Sequence, residues 1–422
     1  MNNHRRRIRL PNWTIPALYA AAAVLAALIL PRIERAFLPG FNSGLDPAAA
    51  IALFSSVGSG MIALTGIVFS LTFLMVQFSA TAYSPRLVMW LAREPVIWHS
   101  VGTFSATFLY SIAAIAQVDR GSTSGTPFIS SCLVVVLLLA SVGMFIALIE
   151  KITLLQIHRM LSFTADHGRQ VIEQSYPPLA AAPSSPDPNE YAKLPVTQVL
   201  THIGRPQALQ AIDVPALLAL SSASGGILVV TASVGDTLVE GTVLLRVHGG
   251  RNGGSERAMR AAFATGDERT FEQDPKYAIR LLVDIAIKAL SPAVNDPSTA
   301  VQALDQLEDL LRRLGQRRLE TGAYRDTAGA LRLVMPYPSW DDFLTLAFDE
   351  IRHCGAGSVQ VMRRMKALAA DLIATLPAER HASLLHHQRR LDVTIAKSFQ
   401  DAEDQMAASI EDRQGLGTPR TR

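Results

Sequence analysis

The sequence predicts a helical membrane domain of four transmembrane segments joined to a cytoplasmic α/β domain, a small β-barrel or sandwich followed by a helical bundle. Three observations predict it. Hydrophobic residues make up 49% of the chain and charged residues only 18%, whereas about a quarter is usual for a soluble protein. The charge deficit is concentrated in the first third, where four apolar stretches each reach the roughly 20 residues that cross a bilayer core. Beyond Tyr176 the composition becomes that of an ordinary cytosolic domain.

The apolar stretches run from about Trp13 to Leu30, Ala48 to Ala82, Val96 to Val118 and Phe128 to Ile149. Arg5, Arg6, Arg7 and Arg9 precede the first and argue for an inside N-terminus, so four crossings return the chain inside. Further spans follow, so this basic start reads as the flank of a transmembrane helix rather than a cleaved signal. The second stretch exceeds a bilayer core and must tilt, project or break at its glycines. Between the second and third, YSPRLVMWLAREP suits a short interfacial helix capped by Ser84 and opened by Pro85. The fourth continues its three-four spacing through Leu154, Ile157, Leu161, Ala165, Gly168 and Ile172, which predicts one helix running to about Tyr176. Residues 1–176 therefore form the membrane domain.

Residues 177–194 read as a linker by their proline content. In the β-rich part, residues 195–254, Gly225 to Val247 reads as three short strands turning at Gly235-Asp236 and Glu240-Gly241. Residues 255–412 are mainly helical. Asp274-Pro275 and Asp296-Pro297 each supply an N-cap and a first-turn proline. Val301, Leu304, Leu307, Leu311 and Leu314 form a buried stripe on the second of these helices. A strand fits Ala330 to Met335, Ser339 caps a helix ending at Gly355, and further helices fill Ser358 to Ala374 and Pro377 to about Glu411. The tail, residues 413–422, reads as disordered.

The second span carries a stripe at alternating three and four: Ser56, Ser59, Ala63, Gly66, Ser70, Phe73 and Gln77. Small residues let membrane helices approach closely, and hydroxyls bond back to their own helix. That leaves Phe73 and Gln77 less well explained. In a pore built from symmetric copies, Phe73 would be an apolar constriction between wet rings of Ser70 and Gln77. No ionisable residue lies between Ala48 and Ala82, which disfavours a proton-driven carrier.

Two passages carry a family resemblance: GDERTFEQDPKYAIRLLVDIAIKALSPAVNDPSTA, from Gly266, and FDEIRHCG, from Phe348. With the four spans, the GTFSATFLYS of span three and the GDTLVEGTVL hairpin, the chain resembles the bacterial predicted membrane proteins called domain of unknown function 2254. Arg269, Thr270, Asp274, Ser291, Pro292, Asn295, Asp296 and Pro297 match its pattern. Cys354 stands where an aromatic residue is expected. The resemblance implies a multi-pass protein of the bacterial inner membrane and supplies no reaction.

In the first passage, Arg280 and Asp284 sit four apart and can pair along a helix. Ser291, Asn295 and Asp296 meet in a bend. Capping and a rigid helix–helix turn explain these residues; the alternative is a polar pocket for a small anion, with Arg269 as its fork-like contact. His353, Cys354, His381, His386 and His387 have poor spacing for a metal site. No phosphate loop, nucleophile elbow, zinc-protease helix or dinucleotide fingerprint occurs, so nothing asks for an enzyme or a cofactor. Glu94, His99, Glu150 and His158 are the only residues placed for acid–base work on a lipid, and each suits a span boundary. No lysine-rich run points to nucleic acid. The expected partners are the bilayer and further copies of the chain. The leading expectation is a homo-oligomeric channel with a cytoplasmic regulatory domain. The alternative is a membrane-anchored sensor or scaffold binding an anion or a protein.

Overall fold

The computed structural model describes residues 11–37, 46–82, 95–120, 128–152, 157–181, 185–250 and 255–417. The chain divides into two units, Met1–Gln156 and Ile157–Arg422.

Among the described residues the first unit contains four long helices: α1 (Thr14–Phe37), α2 (Pro47–Ala82), α3 (Pro95–Arg120) and α4 (Phe128–Ile152). Among the described residues three segments are long and apolar enough to cross a membrane: Thr14–Glu34 in α1, Pro47–Leu74 in α2 and Phe128–Glu150 in α4. The second span was expected to tilt, project or break; α2 runs as one helix of 36 residues, with no break at its glycines. The proposed interfacial helix and the junction at residues 153–156, which decides whether span four continues as one helix, lie outside the described residues.

The third expected span, α3, is long enough but too polar to join those three segments. The reason lies in GTFSATFLYS. Ser100, Thr103, Thr107 and Ser111 are buried, because α3 is the inner helix that packs against α1, α2 and α4. Ser100, Thr103 and Thr107 each donate a hydroxyl proton to the carbonyl four residues back, at 2.8–2.9 Å. Thr107 Oγ1 also lies 2.9 Å from Ser141 Oγ on α4. At Gly102 an added Cβ would fall 3.1 Å from the Tyr19 ring, so glycine sets the close approach of α1 and α3.

The second unit begins with α5 (Ile157–Ser175). A five-stranded sheet has the order β1 (Val196–Thr201), β5 (Val243–His248), β3 (Ile227–Val230), β8 (Leu331–Val334), β7 (Ala323–Arg325). Among the described strands only β3 and β8 pair in parallel, Leu228 opposite Leu333. A three-stranded sheet has the order β4 (Thr237–Leu238), β2 (Gln207–Ile212), β6 (Phe263–Gly266). Residues from both sheets, with α6 (Val214–Ser224) and α7 (Glu256–Ala261), enclose one core of Leu200, Leu209, Leu217, Leu245, Met259 and Leu333.

The helical part is arranged around α8 (Pro275–Ala289), which packs against α5, α9 (Pro297–Gly315) and α10 (Trp340–Cys354). The Val301 to Leu314 stripe of α9 is buried. Gly168 lets α5 approach: a Cβ there would stand 2.9 Å from Ala278 Cβ and from Leu310 Cδ1. α11 (Val359–Thr375), α12 (His381–Ser398) and α13 (Ala402–Ser409) complete the unit.

Two stretches expected to be loose are tied down. Arg318 donates to the carbonyls of Leu179 (2.7 Å) and Ala181 (3.2 Å), and Arg317 to that of Tyr176. Residues 413–417 lie against α11, where Arg363 Nη1 donates to Gly417 O at 2.8 Å and Gln360 holds Gly415 O. Asp412 anchors the same turn, its carboxylate accepting three backbone N–H bonds.

Candidate functional site

The α2 stripe faces away from the rest of its unit. The packed face of α2 is Ala50, Phe54, Val57, Met61 and Val68, all buried. Ser56, Ser59, Ala63, Gly66, Ser70, Phe73 and Gln77 are all exposed, and Phe73 keeps 64% of its surface. At 3.6 residues per turn the two sets lie roughly 170° apart around the helix. Close packing among the described residues therefore does not account for the stripe. A Cβ at Gly60 or Gly66 would meet nothing within 4 Å, whereas one at Gly58 would touch Phe108 and Ser111 of α3. Ser59 Oγ donates to Ser55 O at 2.9 Å, so part of its hydrogen-bonding capacity is met within the helix.

The signature residues of the second unit form three separate arrangements along α8 rather than one pocket. At its N-terminus Asp274 is only 2% exposed. Its Oδ1 accepts the Tyr277 N–H at 3.1 Å, and its Oδ2 accepts Arg269 Nη2 at 2.6 Å and Nε at 3.0 Å. Burial pushes this carboxyl above its ordinary range, although the Arg269 charge and hydrogen bonds pull it down. The Arg269 guanidinium also lies over the Tyr277 ring, 5.5 Å from its centroid. Gly235, in the GDTLVEGTVL turn, sits on this pair at φ +92°; a Cβ there would come within 2.6 Å of Asp274 Oδ2. Two pieces of the family pattern thus meet at one ion pair. Arg269, the expected anion contact, is engaged by Asp274, and the neighbouring Thr270 Oγ1 is buried with no hydrogen-bond partner among the described residues.

In mid-helix Arg280 Nε donates to Asp284 Oδ1 at 2.7 Å. The same guanidinium forks onto Glu350 of α10, at 2.5 and 2.8 Å. Hydrogen bonding to Glu350, then to Asp284, raises Arg280 further above its ordinary range and holds Glu350 below its own. Glu350 belongs to FDEIRHCG, so this fork joins the two signature passages. Sequence reasoning missed it; the signal was an unpaired acid inside a matching motif.

Beyond the C-terminus of α8, Ser291 Oγ donates to Lys288 O at 2.7 Å. Asn295 takes φ +47°, and its N–H donates to Ser291 O. Asp296 caps α9, accepting from Thr299 N (3.1 Å) and Thr299 Oγ1 (2.6 Å). These groups build the turn between α8 and α9.

His386 packs edge-on against His387, ring centroids 5.7 Å apart, and His381 takes a separate partner. His381 Nε2 lies 2.8 Å from Leu376 O, while His387 is buried against Phe348 with Nδ1 3.7 Å from Asp349 Oδ1. Burial, above all, pulls His387 below its ordinary range.

Among the described residues, three membrane-length helices followed by an α/β region that carries these motifs point to a membrane protein. The sequence model of the family described as predicted membrane protein, DUF2254, matches residues 10–371, and the chain belongs to that family. Two relatives, both named uncharacterized proteins, come from Mycobacterium tuberculosis and Mycobacterium bovis. Each is 29% identical over 373 residues, covering 84% of this chain and 70% of the relative. No solved structure matches the chain.

Proposed function

We propose that this protein is a homo-oligomeric, pore-like channel of the bacterial inner membrane, with no enzymatic reaction of its own. α3 is the fourth span, shielded by its neighbours, and both termini lie inside. The two sheets with their common core form a small β-sandwich in a cytoplasmic regulatory domain. The observation that carries the reading is the outward stripe of α2. Seven residues, mostly small or hydroxylated, occupy the side of a membrane-length helix opposite its packed face. Lipid asks for large apolar side chains there, whereas sister copies around an axis accept small ones and tolerate hydroxyls.

Gly66 gives a clean test, because a Cβ there meets nothing within 4 Å among the described residues. Gly66→Leu should leave the monomer folded while abolishing assembly or solute flux in proteoliposomes. Phe73→Ser should raise flux by removing the apolar constriction. A monomeric wild-type protein, with flux indifferent to both changes, would overturn the proposal.

A further inference from the structure

A groove of about 520 Å³ lies between the end of α10 and the second half of α12. Arg352, Arg389, Arg390 and Lys397 line it, with His353 and His386 beside them and Val393 and Ala356 as apolar surface. One carboxylate, Asp349, lies against the cluster. It takes Arg390 at 2.8 Å and stands 4.0 Å from Arg352. The other nearby acids are engaged elsewhere: Glu350 by Arg280, Asp392 by Lys366, and Asp401 by capping Glu403 and Asp404. Arg389 and Lys397 have no ion pair among the described residues. Three of the four positive charges are therefore uncompensated.

Arg352 marks the groove as more than a basic surface. Its side chain keeps only 13% exposure, it donates to Thr394 Oγ1 at 2.7 Å, and its Nε is buried without a hydrogen-bond partner among the described residues. Burial first, then the Arg390 charge, pull its guanidinium below its ordinary range. It remains charged at neutral pH, and the one carboxylate against it, Asp349, is shared with Arg390. Helix-end electrostatics explain Arg352, His353 and Lys397, which sit in last turns. They do not explain Arg389, which lies more than two turns before the end of α12.

Arginine forks match phosphate oxygens, and Arg389 and Lys397 are separated by about 12 Å of helix rise. That spread exceeds a single phosphate, and the apolar wall offers a place for an organic portion. We infer that this groove binds an organic phosphate carrying at least two phosphate groups, held by Arg352, Arg389, Arg390 and Lys397. The inference is independent of what α2 faces. The ligand's phosphates can belong to a soluble ester or to a lipid headgroup.

The test is titration of the full chain, in nanodiscs of phosphatidylcholine, with inorganic pyrophosphate. Wild-type protein should bind it more tightly than inorganic phosphate. Arg389→Ala/Lys397→Ala, which alters exposed side chains, should weaken binding by about tenfold or more while leaving the melting temperature without probe unchanged. Arg246→Ala/Arg257→Ala, which removes the same charge elsewhere on the surface, should bind as wild type. A second arm adds cardiolipin, a lipid with two phosphates, to the nanodiscs. Suppressed pyrophosphate binding there assigns the groove to a headgroup, and unchanged binding assigns it to a soluble ester. Absence of pyrophosphate binding, or equal loss in both double variants, overturns the inference.

Discussion

Replacing Asp274 tests whether the family's Arg-Thr…Asp pattern is structural. Asp274→Ala removes the α8 cap, which contributes about 1 kcal/mol. It also leaves Arg269 without its partner. A fully buried cation so orphaned costs about 3–5 kcal/mol; Arg269 is about one-third exposed, so water recovers part of this and roughly 2 kcal/mol remains. The expected loss is about 3 kcal/mol for alanine and about 2 kcal/mol for Asp274→Asn, which keeps the cap. For a unit of this size the alanine loss lowers the melting temperature by roughly 6–12 °C. Trp340 is the one tryptophan after Trp98, so its fluorescence in a Trp13→Phe/Trp90→Phe/Trp98→Phe background reports this unit alone. An alanine variant melting within about a degree of the parent would refute the reasoning. So would an asparagine variant that loses as much as alanine, since the cap would then contribute nothing.

Glu350, held low by Arg280, stabilises the fold above its ordinary value of about 4.5, and that contribution is lost as pH falls through its lowered folded value. Glu350→Gln should cost about 1 kcal/mol at neutral pH and flatten this acid-side decline, read by urea titration at several pH values. Gly235→Ala combines a positive φ with a Cβ pressed onto Asp274, and should lose about 2 kcal/mol by the same titration.

Much of the second unit was legible because its signals are local. The Asp-Pro caps at 274 and 296, the apolar stripe of α9 and the strand at Leu331–Val334 each follow from neighbours within a few residues. The sheets were only half legible. In VTQVLT half the residues are exposed, and QALQAI mixes buried with half-buried positions, so neither β1 nor β2 shows clean alternation. The Arg280–Glu350 fork spans 70 residues, and no local rule pairs its members. The cationic groove was hidden for the same reason: its charges come from two helices, and each segment alone reads as a solvated face. The α2 stripe was visible as a pattern, but its outward direction depended on knowing which residues α3 covers.

The parallel pairing of β3 with β8 has a consequence for how the chain is made. Val229, already paired with Arg246 of β5 on one side, finds its partner on the other only at Val334. A ribosome adding roughly 5–20 residues per second needs about 5–20 s to supply that partner. Throughout this interval an apolar ILVV edge is unpaired on one side and open to other nascent chains. Newly made protein is then most at risk of aggregation, and a holdase that delays collapse until β8 emerges should raise its yield.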